Sequence, residues 1–362
     1  MKQRVYLGTY TLPILFGTGE IVPGKGKGIH VLELDTESGA LGEVLPPQET
    51  PNPSFLTIHP NGKTLYAVNE LKEYQGQFGG SVSAFAIEEG GALRYLNTQP
   101  TLGQDPCHLS VSPGGQHLVI ANFMSGSVCV YALLEGGELG ERTDFIQHEG
   151  SSVLKARQAG PHAHAALFDP RGGYVLIPDL GKDQVVVYKL DDQTGKLLPA
   201  PCPAFTCAPG AGPRSGEFHP VQPLFYSINE LASSVTVLSY DFDTAQMTAL
   251  QTISTLPEGF AGNNTCADLH ISLDGRFVYA SNRGHDSLMI FAVNEGDGTL
   301  AQIAAVPTCG RTPRQFAIAG SFVLVGNQDS DAIVVFRRDA DNGGLTKVAE
   351  VEAPTPVCVL PV

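Results

Sequence analysis

Apolar and polar positions along this chain fall into short runs, with no sustained helical period. A run of apolar residues closing on polar ones recurs as LYAVNE (65–70), LVIANF (118–123), VLIPDL (175–180), FYSINE (225–230), VYASNR (278–283) and VLVGNQ (323–328), with VYLGTY (5–10) as a seventh. From Asn69 the matched polar positions are Asn122, Asp179, Asn229, Asn282 and Asn327, at spacings of 53, 57, 50, 53 and 45 residues. A repeat of that length, built from strand-like runs, predicts one four-stranded propeller blade per unit.

Each run has companions. Ahead of it lies a segment opened by a turn, such as NPSFLTIHP, DPCHLSVSP, GPHAHAALFDP, GPRSGEFHP, TCADLHISLD or TPRQFAIAG, and behind it a β-rich run such as SVSAFAI, SVCVYAL or QVVVYKL. A fourth, more variable run follows, as in MTALQTIS. Four strands in seven units predict an all-β, seven-bladed β-propeller. The chain ends on TPVCVLPV, an inner strand with nothing after it, and begins with VYLGTY, a second strand with nothing before it. Pairing the two in one blade closes the ring and removes exposed sheet edges, so residues 1–362 are expected to form a single domain. The 41 Gly and 26 Pro spread along the chain suit its many turns.

Charge narrows the partners. With 22 Lys and Arg against 37 Asp and Glu, the formal charge is -15, which repels nucleic-acid backbones and anionic membranes. A small anionic substrate would therefore need a local basic pocket. MKQRVYLGTYT lacks the apolar segment of a signal peptide, and no run approaches the roughly 18 apolar residues of a membrane span. A cytoplasmic protein, monomeric or weakly homodimeric, is the expectation. Seven cysteines without CxxC spacing predict free thiols, with no disulfide framework and no structural metal; no cofactor is expected.

Register places the candidate chemistry. Inner strands line a propeller's channel, and the following hairpin returns the second strand to the same rim. Counting back six residues from the proline that closes each inner strand gives His164, Arg214, Cys107 and Ser54. Matching TPR to GPR adds Arg314, and the second strands end beside them at Glu70, Glu230, Arg283 and Gln328. One mouth should thus collect His164, Arg214, Glu230, Arg283 and Arg314, with Glu70 nearby and His162 two residues from His164 on the turn.

Three clustered arginines repel one another unless carboxylates or a bound anion compensate them. Two readings follow. The arginines form structural ion pairs with Glu70, Glu230 and Asp268, or they hold an anionic ligand through bidentate guanidinium forks. In the second reading His164 or Glu230 serves as general base on water, and a guanidinium stabilises the developing oxyanion. Lactone hydrolysis needs no more, and neither does ring closure of a carboxymuconate-type acid by an intramolecular lyase. A non-catalytic binding propeller is the third possibility. GTGEIVPGKGKG (17–28) lacks the GxxxxGK[ST] spacing of a phosphate loop and reads as a long loop, whose Lys25 and Lys27 would steer an anion if it reached the mouth.

The segments NPSFLTIHPNGKTLYAVNE, GPHAHAALFDP with PDLGKDQV, GAGPR with INELASSVTV, ADLHISLDGRFVYASNRGHDSL and TPRQFAI with GNQDSDAIVVF resemble the propeller-type lactonases. That family contains bacterial 6-phosphogluconolactonase and is similar to carboxy-cis,cis-muconate cyclase. The resemblance spans essentially the whole chain and implies a channel-mouth site of a His, two Arg and a Glu, matching His164 in HAHAALFDP, Arg214 in GPR, Arg283 in SNR and Glu230 in INEL. It implies hydrolysis of an anionic sugar lactone, 6-phosphogluconolactone above others. Arg314, His162 and Glu70 are added as substrate-binding candidates. Where members read GPRH, this chain has Ser215 with Glu217 close behind, and its loop over residues 12–28 is longer.

Overall fold

The computed structural model describes residues 1–15 and 19–362. Among the described residues seven four-stranded antiparallel sheets follow one another along the chain as the blades of a β-propeller. Pro356–Pro361 pairs with Lys2–Thr9, with Val5 opposite Pro361 and Leu7 opposite Val359, and Ile29–Asp35 and Leu41–Gln48 complete that blade. The closure expected from the two unmatched ends is therefore present. Inner strands stand side by side, Pro53–Ile58 against Pro106–Val111 and Pro356–Pro361, and Thr265–Ile271 against Pro213–Phe218 and Pro313–Ala319.

The repeating run is the second strand of each blade. Thr64–Asn69, His117–Asn122, Leu224–Asn229 and Phe322–Asn327 are buried at every position, because both sheet faces are covered by neighbouring blades, and such strands read as continuous apolar runs. One interblade cluster joins Val68 and Val82 to Leu109, Leu118 and Ile120; another joins Val5, Leu7 and Leu32 to Phe322, Leu324 and Val335 across the closure. Each such side chain contributes about 1.5–3 kcal/mol on burial. Outer strands such as Met247–Ser254 are largely solvent-facing, which explains their variability. Tyrosines of the second strands tie one blade to the next, Tyr66 Oη donating to Gly137 O at 2.9 Å, Tyr226 to Gly298 O at 2.8 Å and Tyr279 to Gly343 O at 2.8 Å.

The recurrent polar residue closing each second strand is structural. Asn69 Nδ2 donates to Pro51 O at 2.7 Å, Asn282 Nδ2 to Thr255 O at 2.8 Å and Asn327 Nδ2 to Thr308 O at 3.1 Å, each holding the turn that leads into its own inner strand. Where the fourth blade has Asp179, the carboxylate accepts from His162 N at 2.7 Å and Gly181 N at 3.1 Å, and His148 Nδ1 sits 2.6 Å from its other oxygen. That blade departs from the expected pattern: its inner strand is reduced to Leu167–Phe168 and a lone bridge between Ala163 and Asp179. The chain there closes so tightly that a Cβ on Gly181 would stand 1.9 Å from Gly160 O, so only glycine fits.

Candidate active site

A β-bulge opens the inner strands at a recurring place. Pro53, Pro106, Pro213 and Pro313 pair with Asn69, Asn122, Asn229 and Asn327, and the next paired residue lies two positions on. Ser54, Cys107, Arg214 and Arg314 are therefore the unpaired residues. A bulge re-aims its side chain out of the sheet alternation. Together with His164, Asp268 and Val357 these side chains surround one narrow cavity of about 20 Å³ in the channel. Above it opens a cavity of about 580 Å³, whose wall includes Glu70, Arg157, His164, Glu230, Arg283 and Arg314.

Glu230 is the hub. It is 4% exposed. Its Oε2 lies 2.8 Å from Arg283 Nη2 and 3.1 Å from Arg214 Nε, while Oε1 lies 2.6 Å from Arg157 Nη2. Burial alone would push this carboxyl up, but Arg283, Arg157 and Arg214 outweigh it and hold the group well below the carboxylate range. The guanidiniums are braced from behind, Arg214 Nη1 on Ala267 O and Arg283 Nη2 on Cys266 O at 2.8 Å. Arg214 is lowered to about 10 by burial first and by Arg283 second. Three guanidiniums on one carboxylate leave two formal positive charges, so the cluster is electrostatically unsatisfied.

On the facing wall Arg314 Nη2 lies 3.7 Å from Glu70 Oε2, which also accepts from Tyr10 Oη at 2.9 Å. The Arg314 guanidinium stands 5.5 Å from the centre of the Tyr10 ring. Burial works against its charge, but Tyr10 and Glu70 outweigh burial and raise its pKa. This pair is balanced, in contrast to the Glu230 cluster.

His164 is 8% exposed, and its pKa is driven well below the usual value by burial and then by Arg214. A neutral imidazole has a lone pair to offer. Its backbone N donates to Pro178 O at 2.9 Å and its ring meets the edge of Phe123 at 5.2 Å. His162 stays out of the cavity wall. It stacks on Phe123 at 4.8 Å with Nδ1 3.0 Å from Phe123 O, so it packs behind the aromatic ring that touches His164.

Arg157 was missed by the sequence reading. It belongs to the segment between Leu139–Gln147 and Leu167–Phe168, which has no strand alternation from which a register could be counted. The loop expectation also needs correction. Residues 16–18 lie outside the described residues; around them Ile14–Leu15 pairs with Ile21–Val22, and among the described residues acidic Glu20 lines the mouth cavity while Lys25 borders an adjoining one that shares Glu20, Gly284, Thr312, Gln328 and Asp329 with it. Lys25 is held 2.5 Å from Asp331, and Lys27 borders a separate cavity with Thr11 and Glu49. Glu217 points along the channel to His270, 2.8 Å away, which reaches Asp268 at 3.1 Å. Burial opposes the His270 charge, but Asp268 and Glu217 outweigh it and raise this imidazole well above its ordinary range. Asp268 is thus paired with His270 and also faces Arg214 across the narrow cavity, where each favours the other's charge.

All seven thiols are free. Among the described residues no helix is long and apolar enough to cross a membrane, and no group of three or more His, Cys, Asp or Glu side chains is arranged to hold a metal.

A family model described as "Lactonase, 7-bladed beta-propeller" matches residues 4–361. A Bacillus subtilis protein named 6-phosphogluconolactonase is 37% identical over 316 residues, covering 87% of this chain and 84% of its own. One of the same name from Formosa agariphila is 35% identical over 81% of this chain and 82% of its own. The solved structure of a periplasmic gluconolactonase from Pseudomonas aeruginosa superposes with a TM-score of 0.91 at 32% identity, covering 100% of this chain and 99% of that one.

Proposed function

This chain belongs to the seven-bladed β-propeller lactonases, and on that premise we propose that it hydrolyses an anionic sugar lactone, 6-phosphogluconolactone, in the cavity above Glu230. The observation that carries the reading is the three-to-one ratio of guanidiniums to carboxylate at Glu230. An anion entering there offsets the surplus charge, which gives this acidic chain a reason to concentrate arginine in its channel.

Glu230 is a poor base, because three guanidiniums stabilise its ionised form. It organises the arginines. His164, neutral and facing the same cavity, is the base. It takes a proton as water attacks the lactone carbonyl, and Arg283 with Arg214 stabilises the oxyanion of the tetrahedral intermediate. The proton passes to the ring oxygen as the C–O bond breaks, giving the open hydroxy acid. Arg157 brings surplus charge from the Glu230 cluster to the substrate's anionic group, and Arg314 on the facing wall offers it a second guanidinium fork. The same reading places the reaction in the cytoplasm, where it opens the lactone of the pentose phosphate pathway, with the chain acting as one domain and as a monomer or weak homodimer.

The test generates 6-phosphogluconolactone in situ and follows its loss above the spontaneous background, with the protein and with Arg214→Ala. Acceleration that the variant loses supports the reading. Unchanged turnover by a folded Arg214→Ala, or no acceleration by the folded parent, overturns it.

A further inference from the structure

Cys107, at the bulge of the third blade's inner strand, faces His164, which follows the lone Ala163–Asp179 bridge of the fourth blade. Cys107 Sγ lies 3.8 Å from His164 Nδ1 and 3.3 Å from His164 O, with Ala121 O at 3.9 Å and Ala163 O at 4.0 Å. A thiol carries one proton. Three carbonyl oxygens can only accept it, and the nearest belongs to His164 itself. With the S–H committed to a carbonyl, the sulfur can meet Nδ1 only as an acceptor.

We propose that Cys107 is a positioning residue that fixes His164 as its Nδ1–H tautomer, leaving the Nε2 lone pair for the proton of the attacking water. The pair is reciprocal: S–H donates to His164 O, and Nδ1–H donates to Sγ. Which imidazole nitrogen carries the proton is set by the hydrogen bond the other nitrogen lacks or makes. Sulfur plays the part that a carboxylate plays in other histidine bases, without adding a negative charge beside Arg214. The Cys107 thiol is 6% exposed, and burial first, then Glu70, raises its pKa far above its usual value, which keeps the proton on sulfur. Loss of this acceptor frees Nδ1–H to move to Nε2, the form that cannot accept a proton there.

The role as a base rests on the proposed lactonase reaction; the tautomer does not. The experiment is therefore two-armed. Imidazole-labelled protein is examined by nitrogen NMR at neutral pH, and kcat and KM for 6-phosphogluconolactone are measured for the parent, Cys107→Ala and Cys107→Ser. The expected spectrum shows a protonated Nδ1 and an unprotonated Nε2 for His164 in the parent and in Cys107→Ser, whose hydroxyl donates and accepts in the same way, and an Nε2–H population in Cys107→Ala. In the kinetic arm Cys107→Ala loses roughly tenfold in kcat with KM little changed, a part of the roughly 10²- to 10⁴-fold supplied by a positioned base, and Cys107→Ser recovers most of it. An Nε2–H tautomer in the parent overturns the proposal, as does an unchanged kcat in a folded Cys107→Ala. A parent with the expected tautomer and no lactonase activity overturns the proposed reaction and leaves the tautomer assignment standing.

Discussion

Arg157 reaches Glu230 from outside the blades, its Nη2 2.6 Å from Oε1, while Oε2 of the same carboxylate is taken by Arg214 and Arg283. The other two arginines are anchored to backbone carbonyls of the sixth inner strand. Arg157 is held through its own short turn, with Arg157 N and Gln158 N donating to Leu154 O and Gln158 Nε2 reaching Leu180 O at 2.8 Å. Its side chain is 20% exposed, against 8% for Arg214. Arg157→Ala should therefore leave the fold intact and raise KM for an anionic lactone about ten- to a hundredfold, each tenfold being about 1.4 kcal/mol of lost binding. Steady-state kinetics beside a melting curve checks this; an unchanged KM removes Arg157 from substrate binding.

Glu230→Gln tests whether the carboxylate is hub or base. The neutral amide leaves three guanidiniums without their shared counter-charge, and breaking a buried ion pair from one side costs about 3–5 kcal/mol. Because the folded-state pKa of Glu230 lies below its ordinary value, its stabilisation is present above the unfolded-state pKa and is lost as pH falls. The variant should therefore unfold more easily at pH 7, differ less from the parent in acid, and regain stability in phosphate, which binds the freed arginines. Equal denaturation midpoints at pH 7 contradict the hub.

Glu20 places a carboxylate at the rim above these cations. Exchanging its sign with Glu20→Lys should lower KM for a phosphorylated lactone at low ionic strength and do so less as salt shortens the Debye length. KM for the unphosphorylated gluconolactone should move little. An equal change for both substrates would mean that no phosphate passes this rim.

The positions legible in the sequence are those tied to strand period. The proline-anchored inner strands and Asn-terminated second strands repeat closely enough that counting residues put Arg214 and Cys107 on one ring and matching TPR to GPR added Arg314, and all three lie at the corresponding bulge of their blades. The resemblance to propeller lactonases pointed independently to His164, Arg214, Glu230 and Arg283. Arg157 and Glu20 were illegible because their segments follow no repeat, and a loop side chain is placed by tertiary packing alone. His162 shows the opposite error. It lies two residues from His164, but Asp179 and Phe123 turn it behind the wall. The tautomer of His164 was also beyond reach, since Cys107 and His164 belong to different blades and only their shared ring position hinted at a meeting.

His108 supplies an acid limb to stability. It stacks on Phe55 with ring centres 4.0 Å apart, its Nδ1 accepts from Ala166 N at 3.3 Å, and burial lowers its pKa to about 3. The unfolded chain protonates this group near pH 6.5, so stability is full above 6.5 and declines as pH falls from there toward 3, by a few kcal/mol at most, roughly 1.4 per pH unit. His108→Gln keeps an acceptor for Ala166 N and does not titrate. Its unfolding free energy should fall less than the parent's between pH 6.5 and 4 in urea titrations, and parallel curves would show that His108 is not the proton acceptor.

His164 sets the pH dependence of catalysis. Burial and Arg214 keep it neutral well below pH 6.5 in the free enzyme, and a base works only while unprotonated. Background-corrected kcat/KM should therefore stay level from pH 8 down through 6.5 and fall only at more acid pH. An anion bound beside the arginines offsets the charge that opposes protonation, so the acid limb of kcat, which reports the bound complex, should lie at higher pH than that of kcat/KM. His164→Gln should lower kcat by about 10²- to 10⁴-fold with a smaller change in KM. A kcat/KM midpoint at or above 6.5 in the parent would mean that the group titrating is not a buried imidazole beside Arg214, and a variant with parental kcat would return the role of base to another group.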